Sequence, residues 1–320
     1  MRFPRRVKVV EVGPRDGLQN EAAAVATAVK IGLVDRLSRA GLPAIEAASF
    51  VSPRWVPQLA DGAELLAGIR RRRGTSYAAL VPNIRGFDAA AAAGVDEVAV
   101  FTAASQSFAR RNVNASIEET LARFAEVAAA ARRCGIRLRG YVSCALGCPY
   151  EGAVAPAAVA ELAERLVDLG CEEVSLGDTT GVGTPRAAAA LVDAVAARVP
   201  LRRVAVHFHD TYGQALANVL AALERGVETV DAAVGGLGGC PYAAGASGNL
   251  ATEDLVYMLN GLGVETGVDL DALLAAGRYI AQHLGRAPGS KVARASEQAV
   301  GAVAWPSKRA THGMSATAPR

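Results

Sequence analysis

The chain has 320 residues, 51% apolar and 20% charged, with a formal net charge of +3. That length can bury a large core, and the composition is that of an ordinary soluble globular protein. So small a charge argues against nucleic acid as a partner, and no stretch has the roughly 18 uninterrupted apolar residues of a membrane span. Cys134, Cys144, Cys148, Cys171 and Cys240 are too scattered for a secreted disulfide framework. Cys144 and Cys148 lack the second pair or nearby histidine that a structural zinc needs, so they read as packed thiols. The opening MRFPRRVKVVEVG runs almost directly into a strand and leaves no room for a signal or transit peptide. A cytoplasmic protein is expected, and abundant alanine and arginine hint at a bacterial source.

Strand-like and helix-like stretches alternate with little between them. Val7–Val12 reads as a strand, followed by an amphipathic helix over Ala26–Ala40 with Val29, Leu33, Val34 and Leu37 at helical spacing. Ala44–Ala48 is a strand and Asp61–Ile69 a helix, whose end carries the basic run Arg70–Arg73. Cations suit a helix C-terminus, so the run is expected to be solvated and not a binding patch. Ser76–Val81 (strand) and Ile84–Ala93 (helix) follow, then Val95–Phe101 (strand) and Ser116–Cys134 (helix), the last closed by Gly135. Ile136–Cys144 is a strand, and Pro156–Leu169 a helix with proline in its first turn and Gly170 after it. Glu172–Leu176, Arg203–Phe208 and Val227–Val234 are strands. Pro185–Arg198, Gly213–Arg225 and Leu250–Leu259 are the helices that follow them.

Eight strand–helix units in about 260 residues point to an α/β fold, a (β/α)8 TIM barrel. The strands are short and apolar, as a parallel sheet covered on both faces requires. A doubly wound sheet usually has fewer units and a GxGxxG turn after its first strand, where this chain has GPRDG. Asp269–Leu284 is an extra C-terminal helix that caps the barrel. A single domain over residues 1–300 is expected, with residues 301–320 frayed.

Active sites of such barrels lie at the C-terminal ends of the strands, which turns the element assignment into a filter. Arg15 and Asp16 follow strand one, Glu46 is near the end of strand two, and Asp178 and Thr179 follow strand six. His207 and His209 end strand seven. Cys240 follows strand eight, and Asn249 starts the next helix. In a strand, His207 and His209 share a face, with Phe208 on the other. Paired imidazoles are natural ligands for a divalent metal, although two histidines hydrogen-bonded in the barrel would look the same. Asp16 can converge on them across the barrel axis, and Asn249 can add an amide oxygen. Such a set leaves open positions and suits Mg2+ or Mn2+ better than a closed zinc site.

The same residues have plainer readings. Arg15 can pair on the surface, Asn249 can cap the following helix, and Asp178 can cap a turn. Glu11, inside strand one, and Glu46 read as acceptors that orient Arg15 or a histidine. Gly235–Asn249, GGLGGCPYAAGASGN, holds six glycines around Cys240 and lies between a strong strand and a strong helix. Glycines this dense exclude a helix or strand interior, and no Gly-Lys-Ser/Thr follows to make a phosphate loop. It reads as a substrate-covering loop that carries a thiol, with a plain linker as the alternative.

These segments are recognisable. EVGPRDGLQNE, IEAASFVSP, VSCALGCPYEG, SLGDTTGVGTP, HFHDTYGQALAN and GGLGGCPYAAGASGNLATEDLVYML closely resemble the 3-hydroxy-3-methylglutaryl-CoA lyase family over about Val7 to Val292. The resemblance implies cleavage of that acyl-CoA to acetyl-CoA and acetoacetate, as in leucine degradation. It makes Asp16, His207, His209 and Asn249 the ligands of a divalent cation. Arg15 resembles the substrate-binding, enolate-stabilising arginine, Cys240 the catalytic loop cysteine, and Glu46 and Asp178 residues that support the site; with Thr179 they make up the expected substrate-binding set. Asp16 and His207 are the candidate bases. The family further suggests a homodimer. Rival readings are a lyase for a larger 3-hydroxyglutaryl-CoA, a Claisen-type synthase with the same HxH pair, and a non-catalytic CoA-binding barrel. The Cys240 loop argues against the synthase, and the complete polar set argues against the non-catalytic barrel.

Overall fold

The structure, a computed structural model, describes residues 3–19, 21, 23–239 and 248–298. Eight parallel strands close into one barrel in chain order: β1 (Lys8–Glu11), β2 (Ala44–Ser49), β3 (Ser76–Leu80), β4 (Glu97–Ala103), β5 (Arg137–Ser143), β6 (Glu173–Asp178), β7 (Val204–Phe208) and β8 (Thr229–Ala232). Closure runs through β1 and β8, which pair from Lys8 with Thr229 to Glu11 with Ala232. The fold is the TIM barrel expected.

Helices α1 (Thr27–Arg39), α2 (Gly62–Gly68) and α3 (Ile84–Ala92) follow the first three strands. Two helices, α4 (Gln106–Val113) and α5 (Ile117–Cys134), follow β4. Then come α6 (Pro156–Leu169), α7 (Pro185–Ala196), α8 (Ala215–Leu223) and α9 (Thr252–Gly261), with α10 (Leu270–Leu284) and α11 (Lys291–Gln298) beyond the barrel. The core is the shell between strands and helices. Val98 and Val100 of β4, Val174 and Leu176 of β6, and Val204 and Val206 of β7 face it, against Leu166, Val192 and Val219 from the helices. α5 shows why its sequence is helical. Ser116 accepts from Glu119 N while the Glu119 carboxylate accepts from Ser116 N, and Gly135 ends the helix at φ 66°.

Two helices depart from the sequence expectation. α4 has a polar sequence that buries little beyond Phe108 and Ala109. It is set by its ends: Ser105 Oγ accepts from Phe108 N, and Asn114 in the left-handed region (φ 48°) parts it from α5. α11 is capped from a distance, Asp254 accepting from Lys291 N and Val292 N. The basic run Arg70–Arg73 is exposed beyond α2, as expected. Among the described residues no helix is long and apolar enough to cross a membrane. Cys240 and residues 301–320 lie outside the described residues.

Candidate active site

The site is built at the C-terminal end of the barrel. After β1 the chain makes a π-helical turn, Gly13–Gly17, which carries Arg15 and Asp16 over the strand ends. Gly13 allows this turn to pass close by: a Cβ there would lie 2.6 Å from Glu11 Oε1, which accepts from Gly13 N. Across the barrel β7 delivers His207. His209 lies just past the strand, bridged to Asn249. Phe208 points the other way into the apolar shell, as alternation requires.

Asp16, His207 and His209 offer three ligand atoms within 4.8 Å of one another. The two histidine Nε2 atoms are 3.4 Å apart, and His207 Nε2 is 3.8 Å from Asp16 Oδ2. Asn249 joins through its amide, Nδ2 donating to Asp16 Oδ2 (2.8 Å) and to Leu237 O (3.2 Å). It does not cap α9, whose N-cap is Ala251. Burial would raise the Asp16 carboxyl, but Arg15, His207 and His209 together hold it below the usual carboxylate range. Burial and the neighbouring His207 push the His209 imidazole down to about 4, so its lone pair is free at neutral pH. One carboxylate and two imidazoles converging on a point fit a divalent cation.

Arg15 is buried, with Nη1 donating to Asp16 Oδ1 (2.6 Å) and Nη2 to Glu46 Oε2 (2.8 Å). Burial would lower it, but Glu46 and then Asp16 hold it charged and above its ordinary value. Glu46 lies in the middle of β2, not near its end, and also accepts from the Tyr141 hydroxyl (3.0 Å). It therefore orients Arg15. Glu11 does something else: Oε1 accepts from Gly13 N and Val234 N (2.8 Å each), and Oε2 accepts from Thr252 Oγ1 (2.7 Å). It ties the first βα turn to the start of the glycine-rich loop, and burial pushes it up to about 7. Asp178 turns away into its own loop, where Oδ2 accepts from Gly183 N (2.9 Å). Burial pushes Asp178 up to about 6. Thr179 faces the site with its Oγ1 accepting from Cys144 N (2.9 Å).

These groups open into a cavity of about 730 Å³. Leu80, Phe101 and Tyr141 give it an apolar wall, and the exposed Arg111 and Arg123 also line it. Cys144 and Cys148 pack as thiols in a small apolar cluster, Cys148 Sγ lying 2.9 Å from Ser105 Oγ.

With this geometry in view, the comparisons with known proteins are direct. The HMGL-like family model matches residues 6–280. The chain belongs to the HMGL-like family. It is 62% identical over 294 residues to the mitochondrial hydroxymethylglutaryl-CoA lyase of Bos taurus, covering 92% of this chain and 90% of that one. The structure superposes on hydroxymethylglutaryl-CoA lyase from Pseudomonas aeruginosa with TM-score 0.92 and 57% identity, over 93% of this chain and 99% of that one. An HMG-CoA lyase from Acinetobacter baumannii, in complex with coenzyme A and 3-methylmalate, aligns with TM-score 0.87 and 38% identity over 98% of this chain and all (100%) of that one.

Two groups beside the site were not singled out from the sequence of this HMGL-like chain: Tyr141, against Arg15 and Glu46, and Asp231, against His207. A signal existed for both. Arg139-Gly-Tyr141 and Thr229-Val-Asp231 place polar residues two apart inside strands, and such residues must find partners in the lumen.

Proposed function

We propose that this chain is a carbon–carbon lyase that cleaves 3-hydroxy-3-methylglutaryl-CoA to acetyl-CoA and acetoacetate. The observation that carries this reading is the convergence of Asp16, His207 and His209 beside the Glu46-held Arg15, in a barrel of the HMGL-like family. Asp16, His207 and His209 would hold a divalent cation, Mg2+ or Mn2+, with Asn249 adding its amide oxygen. When bound, the cation supplies Lewis acidity that eases loss of a substrate hydroxyl proton.

The chain's own groups do the rest. The C3 hydroxyl proton passes to one of the two candidate bases, Asp16 or His207, whichever keeps a lone pair that the cation does not take. As the C2–C3 bond breaks, C3 becomes the ketone of acetoacetate, and the bond's electron pair passes to C2 and the thioester oxygen. Arg15, fixed between Asp16 and Glu46, donates to that developing oxyanion without having to reorganise. Cys240 returns a proton to C2 as general acid, completing acetyl-CoA. Thr179 on the cavity wall contacts the acyl group, and Asp178 and Glu11 hold the loops around it. Arg111 and Arg123 supply cations for the phosphates of an acyl-CoA. A homodimer, expected from the family, is tested by light scattering.

The reading is tested by acetoacetate release from purified protein with Mg2+ or Mn2+ and again with EDTA. A substrate with a longer C3 substituent is run beside it. Cleavage of the methyl substrate that chelator abolishes is expected, and Cys240→Ala lowers turnover about 10²–10⁴-fold with metal binding retained. Metal-loaded protein that releases no acetoacetate overturns the reading.

A further inference from the structure

The barrel lumen holds a buried guanidinium that the reaction described above does not use. Arg139 of β5 is 2% exposed and is the largest fully buried side chain of the described residues. Each of its three nitrogens donates a hydrogen bond. Nε donates to Glu173 Oε1 (2.8 Å), Nη1 to the Tyr141 hydroxyl (2.6 Å) and to Asp231 Oδ2 (3.1 Å), and Nη2 to Asp231 Oδ1 (2.7 Å). Two of these partners lead into the site by separate routes.

The first route runs through Asp231. Its Oδ2 also accepts from Ser175 Oγ (2.9 Å) and lies 3.3 Å from His207 Nδ1. A carboxylate there can only accept, so it fixes the proton on Nδ1 and turns the Nε2 lone pair toward Asp16 and His209. The second route runs through Tyr141. Arginine has no acceptor, so the hydroxyl accepts from Arg139 and its own proton must point to Glu46 Oε2, 3.0 Å away. The same carboxylate oxygen accepts from Arg15 Nη2. The Tyr141 ring is flanked by both guanidiniums, with Arg139 Cζ 4.9 Å and Arg15 Cζ 5.7 Å from its centre.

The geometry points to Arg139 as a shared positioning residue, one buried fork that sets both the aim of the metal-ligating His207 and the pose of the oxyanion-binding Arg15. His207 comes from β7 and Arg15 from the turn after β1, and Arg139 reaches toward both. Arg139 touches neither substrate nor cation. It acts through Asp231 on one arm and through Tyr141 and Glu46 on the other. Lysine cannot replace it, because a single ammonium cannot make the bidentate contact to Asp231 and still reach Tyr141.

The test reads the arms separately, by Mn2+ affinity from EPR titration and by kcat and KM. The kcat readout rests on the lyase reading, whereas the Mn2+ readout does not; a wild type that binds Mn2+ and cleaves nothing would sink that reading alone. Arg139→Lys is expected to weaken Mn2+ roughly tenfold or more and to lower kcat by a similar factor. Asp231→Asn should weaken Mn2+ roughly tenfold, whereas Tyr141→Phe should lower kcat with KM and Mn2+ affinity unchanged. Glu173→Ala loosens Arg139 from the side away from the site and touches neither arm, so it serves if Arg139→Lys does not fold. It should move both readouts by roughly threefold. A purely structural role would lower the yield of folded protein and leave both readouts of the folded fraction at wild type. Wild-type Mn2+ affinity and kcat in folded Arg139→Lys, or in Glu173→Ala, would overturn the proposal, as would Mn2+ loss in Tyr141→Phe equal to that in Asp231→Asn.

Discussion

The two faces of the barrel wall are built from opposite materials. Outward, Leu138 and Val142 of β5, Val174 and Leu176 of β6, and Val230 of β8 meet the helices in a shell of aliphatic side chains. Inward, the alternate positions of the same strands carry Arg139, Tyr141, Glu173, Ser175, Thr229 and Asp231, joined by hydrogen bonds and ion pairs. Burial of the outer face is favourable for any aliphatic residue of the right volume. Burial of charge is costly unless every group is paired, and replacing such networks by apolar residues is often neutral or stabilising elsewhere. The lumen network is therefore poorly explained as a source of stability, and its two arms end on His207 and Arg15. The outer face holds the barrel together and the inner face aims the site.

Substitutions can break or sharpen that division. The largest effect is expected from Arg15→Lys, which keeps the charge but loses the fork between Asp16 and Glu46. Turnover should fall about 10²–10³-fold while the melting temperature moves by only a few degrees; unchanged turnover would remove Arg15 from the chemistry. On the outer face, Leu166→Ala of α6 should cost about 2–5 kcal/mol in urea unfolding and leave kcat of the folded enzyme intact. A kcat loss there would mean that the two faces are not separable.

Glu11 gives a smaller effect with a definite sign. Its carboxyl is raised by burial from 4.5 to about 7, so the folded state binds an extra proton across that window and stability falls as pH rises through it. Glu11→Gln should make the decline between pH 5 and pH 7.5 shallower by on the order of 3 kcal/mol. Glu253, buried beside Gly235 and raised to about 8, keeps part of the slope in the variant. Identical slopes in the two proteins would contradict this account. The smallest effect belongs to the periphery. Ser116→Ala removes one half of the α5 capping box and should cost about 1 kcal/mol with no change in turnover.

The division also explains what could be read from the sequence. The outer face follows local rules, so apolar strands, helical periodicity and glycine stops gave the eight units and the barrel. The first contacts of the site were legible because HxH puts two imidazoles on one strand face, and because Arg15, Asp16, Thr179 and Asn249 stand at strand ends. The lumen pairing was not legible, since Arg139 and Asp231 are 92 residues apart and Tyr141 and Glu46 95 apart. Only the closed barrel brings them together. The same reason hid α11, whose cap is Asp254, and the bond of Glu11 to Val234, 223 residues away. Asp178 shows the converse: a carboxylate at a strand end drew a substrate role, and the structure has it gripping Gly183 N.

The most direct test of the central claim follows the bond that breaks. Purified protein with Mg2+ would be given 3-hydroxy-3-methylglutaryl-CoA in D2O and the products read by NMR. The account predicts acetoacetate and acetyl-CoA in equal amounts, with one solvent deuterium in the acetyl methyl group, delivered as the C2 carbanion is protonated. Unequal products, or an acetyl methyl group without solvent deuterium, would contradict cleavage by the route assigned to Arg15 and Cys240.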